Sequence, residues 1–217
     1  MHRLLLLAVI AGSLPALAAF AQAPIGQPGG RPDLAKAQTI VKDVCSACHG
    51  TDGNSATPVN PSVAGQPAEY ITLQLAHFRS GLRVNPVMQA MAATLQPEDT
   101  RALGVYYSQQ KPKGLGAKDA ALATAGQKLF RGGDAAAGIP ACAACHAPNG
   151  AGIPKNYPRL AGQHADYTLA QLKAFKAGER GQDKDGKDIN GRIMATIAAK
   201  MSEAQMKAVA EYASGLR

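Results

Sequence analysis

Cys45-Ser46-Ala47-Cys48-His49 and Cys142-Ala143-Ala144-Cys145-His146 decide the reading of this chain, and together they use all 4 of its cysteines. Cys-x-x-Cys-His is the attachment signature of a c-type haem. On a helix, residues at i and i+3 share a face, so two sulfurs reach two vinyl groups along one side of a porphyrin. The histidine that follows then offers an imidazole nitrogen to the iron. Two disulfides, or one zinc held by both Cys-x-x-Cys pairs, would also use four cysteines. Neither explains a histidine directly after each pair. The motifs therefore predict two haem c groups. Cys45, Cys48, Cys142 and Cys145 are the covalent tethers, and His49 and His146 are axial ligands.

The start of the chain points to export. Met1-His2-Arg3 precedes the apolar run Leu4 to Ile10, and small residues follow up to Ala21. A basic start, an apolar centre and a small-residue end read as a signal peptide over residues 1–21, with a mature start at Gln22. The apolar stretch is short for a stable membrane span and is broken by Gly12 and Pro15. About 195 residues remain, enough for two small domains.

Charge is uneven. Residues 22–111 carry 7 Lys/Arg against 6 Asp/Glu, and residues 112–217 carry 15 against 9. A basic surface suits an acidic protein partner, lipid headgroups or nucleic acid. Export and the scarcity of aromatic stacking platforms argue against nucleic acid. An acidic patch on a redox partner is the expected match.

The two halves are copies. At an offset of 97 residues, Pro61 to Gly81 lies over Pro158 to Gly178, with 10 of 21 positions identical. A period of this length is a domain, not a solenoid unit. Apolar spacing predicts helices over Leu34–Val44, Glu69–Arg79 and Glu98–Gln109 in the first half. It predicts Ala121–Phe130, Asp166–Lys176 and Glu203–Ser214 in the second. No stretch alternates like a strand, so the fold class is all-α. The domains are read as 22–111 and 121–217, joined by a turn-rich linker over 112–120.

Each iron needs a second axial ligand or an open face. Met88, Met91 and His77 are available in the first half, and Met194, Met201, Met206 and His164 in the second. Beyond Gly178 the second half carries nine extra residues, so the offset becomes 106 and Met88 meets Met194. Met91 meets Ile197 and Met201 meets Leu95, which reads both methionines as core. His77 lies over Ala174 and His164 over Pro67, so neither histidine is shared. Met88 and Met194 are the chosen ligands. Pro61 and Pro158 each lie 12 residues after a motif histidine. Their carbonyls are candidates to accept the second imidazole N–H.

These residues resemble the dihaem cytochrome c4 family over nearly the whole mature chain. The resemblance rests on Cys45 to Gly50 with Asp52-Gly53-Asn54, the two Ala-Gly-Gln segments, Gly126 to Gly133, and Pro140 to Gly150. It implies two tandem class I cytochrome c domains, each wrapped around one covalently bound haem, with His/Met ligation at both irons. It also implies a periplasmic carrier passing electrons toward a terminal oxidase, sometimes in peripheral contact with the membrane. The near-neutral first half departs from the family's often acidic first domain. The expectation is a monomeric electron carrier rather than an enzyme, taking electrons from a quinol-oxidising complex. The alternatives are a cytochrome subunit of a dehydrogenase and a dihaem peroxidase.

Overall fold

Asp33 opens the first helix by accepting the backbone N–H of Lys36 at 2.9 Å. The computed structural model describes residues 30–183 and 185–217. The proposed signal peptide lies outside the described residues. Helix α1 (Leu34–Ile40) runs through a π-helical turn (Val41–Cys45) into α2 (Ser46–His49). The predicted apolar stripe is thus a continuous helical path into the first haem motif. α3 (Ala68–Ser80), α4 (Pro86–Ala93) and α5 (Pro97–Ser108) complete the first lobe. The second lobe contains α6 (Ala120–Gly132), α7 (Ala143–His146), α8 (Ala165–Ala177), α9 (Ile189–Ala199) and α10 (Glu203–Gly215). Among the described residues there is no named strand. Two isolated bridges, Asp134–Ile139 and Ile153–Tyr157, flank the second motif.

Start signals fall where the residues place them. Gln96 and Asp99 form a reciprocal capping box at α5, and Ser202 and Gln205 do the same at α10. Helices α4 and α9 were not singled out as elements from apolar spacing, although they carry Met88 and Met194. Both are short and rich in alanine, so their periodicity is weak.

Each lobe has its own core. Ala37, Val41, Ile71, Leu95, Leu103 and Tyr107 build the first. Leu129, Phe130, Leu172, Phe175, Met201, Met206 and Val209 build the second. In the second lobe α6 crosses α10 at Gly126, where a Cβ would meet the Ala208 carbonyl oxygen at 2.0 Å. Only a residue without a side chain allows that approach.

The lobes, which together form one unit from Arg31 to Arg217, meet through contacts that come in swapped pairs. Gln66 Nε2 donates to the Arg159 carbonyl at 2.7 Å, and the Arg159 N–H donates back to Gln66 Oε1 at 3.0 Å. Gln163 repeats this with Ser62, at 2.8 and 2.9 Å. Arg83 donates to Tyr167 and Gln171, while Arg180 donates to Tyr70 and Gln74. Every member has its counterpart 97 positions away, so the interface is isologous in the manner of a twofold dimer.

The tether is fastened to both lobes. Asn54 holds it from the first, donating to the Lys111 carbonyl at 3.1 Å and accepting from the Lys113 N–H at 2.8 Å. Glu211 on α10 holds its far end by accepting from the backbone N–H groups of Lys118 and Asp119.

Candidate haem sites

Both motif histidines are fixed by the same bond. His49 Nδ1 lies 2.9 Å from the Pro61 carbonyl oxygen, and His146 Nδ1 lies 2.9 Å from that of Pro158. A carbonyl only accepts, so Nδ1 carries the proton and Nε2 keeps its lone pair. Burial lowers the pKa of both imidazoles, against a smaller upward pull from the proline carbonyls. Neutral imidazole is the form that binds a metal.

None of the four cysteines is joined to another in a disulfide. Burial pushes the Cys45 thiol up and the Cys142 thiol up to about 11. Among the described residues no group of three or more His, Cys, Asp or Glu is arranged to hold a metal ion. The two Cys-x-x-Cys pairs therefore do not converge on one zinc. The loop after His49 is shaped by Gly53, whose φ of 75° and contact with Tyr107 leave no room for a Cβ.

In the first lobe an apolar cavity is lined by Cys45 and His49 from the motif and by Met88 and Met91 from α4. Val63, Ile71, Leu75, Leu103 and Tyr107 are among its other walls. Asn85 caps α4 by accepting the Met88 N–H at 2.9 Å, and Pro86 occupies the first turn. An imidazole with a free lone pair and a neutral thioether thus enter one apolar space from separate elements. That donor set fits a flat apolar group carrying an iron. Met91 departs from its reading as core. It lines the same cavity as Met88 and is 41% exposed. Its place one turn after Met88 puts both side chains on the cavity face of α4.

In the second lobe Cys142, Met194 and Ile197 pack against the core. Met201 and Met206 are buried within that core, as the repeat implied for Met201. The two unshared histidines both cross between lobes. His164 Nε2 lies 3.0 Å from the Ser55 carbonyl oxygen, and His77 Nδ1 lies 3.8 Å from Asp188 Oδ2.

Residue reasoning missed Arg83 and Arg180, although they too match at an offset of 97. Register therefore persists two residues beyond Gly81. Each guanidinium lies over a phenylalanine of its own lobe, Phe78 at 4.6 Å and Phe175 at 4.4 Å.

Comparison with known proteins gives a consistent picture. The family model described as Cytochrome c matches residues 123–216, and that described as Cytochrome C oxidase, cbb3-type, subunit III matches residues 32–106. The chain is 42% identical to cytochrome c4 of Azotobacter vinelandii over 183 residues, covering 80% of this chain and 84% of the relative. It is 42% identical to a thiosulfate dehydrogenase electron acceptor of Thiomonas intermedia, covering 77% and 76%. Among solved structures, reduced recombinant cytochrome c4 from Pseudomonas stutzeri superposes with a TM-score of 0.78 at 40% identity. That match covers 86% of this chain and all of the other.

Proposed function

The chain belongs to the cytochrome c4 family and is a dihaem electron-transfer cytochrome with two haem c groups; from that premise we propose that it shuttles single electrons from a quinol-oxidising complex toward a terminal oxidase. The haems supply the one-electron change when bound. His49 and Met88 hold the first iron and His146 and Met194 the second, with Cys45, Cys48, Cys142 and Cys145 as thioether tethers. Pro61 and Pro158 orient the imidazoles. The observation that carries this reading is the repeated imidazole–proline bond, which aims a free nitrogen lone pair in both lobes.

The rest of the chain keeps that site rigid. The cavity walls exclude water, which limits the rearrangement that accompanies a change of charge. The fastened tether and the swapped contacts hold the lobes together. With a histidine and a methionine both bound to each iron, no position would be left open to substrate, so the protein would act as a carrier and not as an enzyme. Domain limits at 22–111 and 121–217, with 112–120 between, are supported by the two family matches. Export through residues 1–21 places the carrier in the periplasm. No helix among the described residues is long and apolar enough to cross a membrane. A redox titration with optical spectra tests the reading. Two haems with thioether ligation are expected, and one haem or a resting five-coordinate centre would overturn it.

A second reading follows from the relative named as a thiosulfate dehydrogenase electron acceptor. Here the donor is a dehydrogenase rather than a quinol-oxidising complex. Reduction by candidate donors, compared at equal concentration, separates the two.

A further inference from the structure

The two lobes differ in what the closing helix packs against the loop after the haem motif. Tyr107 on α5 accepts the Gly65 N–H at 2.9 Å, and Ala213 on α10 accepts the Gly162 N–H at 3.0 Å. These matching bonds make Tyr107 and Ala213 structural equivalents. Against the motif glycines the pattern is the same. A Cβ on Gly53 would meet Tyr107 Cδ1 at 2.9 Å, and a Cβ on Gly150 would meet Leu216 Cδ1 at 2.9 Å. The second lobe therefore fills with Ala213 and Leu216 the space that the first fills with a tyrosine ring. Neither replacement brings a side-chain donor.

Packing explains the ring but not the hydroxyl. Tyr107 is only 4% exposed and lines the cavity shared by Cys45, His49 and Met88. Its hydroxyl faces the Cys45 sulfur, a weak acceptor, and finds no oxygen or nitrogen partner among the described residues. Burial pushes its pKa up, so it stays a protonated donor. An orphaned buried donor is costly and uncommon. Phenylalanine would pack equally well without that cost.

We propose that Tyr107 is a positioning residue for the first haem alone, donating its hydroxyl proton to the Cys45 thioether edge and so favouring the reduced form of that haem. The inference rests on the ligand reading above. A dipole whose positive end faces the haem stabilises the state with less positive charge on iron. Ala213 gives the second haem no such donor.

The test is Tyr107→Phe in the holoprotein, followed by an optical redox titration. The wave belonging to the first haem is identified separately, as the one displaced by Met88→Ala. Tyr107→Phe should lower that wave only, weakening reduction of the first haem by about fivefold, the worth of one net hydrogen bond. A wave that stays or rises, or equal movement of both, overturns the proposal. If Met88→Ala displaces neither wave, the ligand assignment itself has failed, which is a different result. The native protein gives a second readout. Transfer to D₂O should shift the thioether vibrations of one haem in the resonance Raman spectrum, and a shift in both or neither overturns the assignment.

Discussion

Arg83 and Arg180 each reach across to the other lobe's tyrosine, Arg83 Nη2 to the Tyr167 hydroxyl at 2.8 Å and Arg180 Nη2 to that of Tyr70 at 3.1 Å. Arg83 is 9% exposed and has glutamine and tyrosine partners rather than a carboxylate. Replacing it with alanine removes the donor to Tyr167 and leaves Gln171 with Arg180 alone. Arg83→Ala should cost about 2–3 kcal/mol in denaturant unfolding, in the range for hydrogen bonds from charged donors. Arg83→Lys should recover little of it, because one ammonium cannot reproduce the planar fork. Unfolding midpoints equal to wild type would remove the arginines from the interface energetics.

The ligand assignment separates two methionines on one helix face. Met88→Ala should abolish the thioether signature of one haem and lower its potential. Met91→Ala should keep ligation intact and alter only the cavity wall. Absorption spectra of the oxidised variants decide between them. Loss of the signature in Met91→Ala alone would reassign the ligand.

Stability should depend on pH through His77. Its pKa is lowered, chiefly by burial, and Arg180 and Arg83 push the same way. Asp188 and Asp183 oppose them. The unfolded chain takes up this proton near pH 6.5, while the folded chain does so only at lower pH. The contribution of His77 is therefore fully present above about pH 6.5. It is lost as pH falls below that value, until the folded pKa is passed. His77→Ala, which copies Ala174 of the other lobe, should flatten this part of the profile. Thermal melts at pH 7.5 and pH 5.5 provide the comparison.

Gly126 sets how closely α6 and α10 approach. Gly126→Ala should destabilise the second lobe by about 1–3 kcal/mol, as overpacking does. Gly132→Ala at the end of the same helix meets nothing within 4 Å and should be neutral or slightly stabilising. Equal effects at the two positions would contradict the close crossing.

Electron transfer to an acidic partner should slow as salt rises, because residues 112–217 carry 15 basic against 9 acidic side chains. Stopped-flow rates across ionic strength measure this. A flat response would leave the basic half without a role in docking.

The helices around the motifs were legible because their apolar stripes are long and their starts carry Ser, Gln or Pro signals. The proline acceptors were legible from an identical spacing in both halves. The interface was not. Gln66, Tyr70, Gln74 and their copies were visible as repeated identities, but repetition does not say whether a residue serves its own lobe or the neighbouring one. A polar residue repeated on a helix face next to the core fits either role. Met91 shows the converse limit. Matching it to Ile197 correctly identified an apolar environment, but that environment includes a cavity that protein atoms alone do not fill.

The swapped bonds carry a historical consequence. A contact made by the same patch on both sides could form between two separate one-haem chains before any covalent join existed. Fusion would then have turned an association governed by concentration into a permanent one, and released each copy to diverge. His77 and His164, which cross that contact without a copy in the other lobe, are where the two halves now differ.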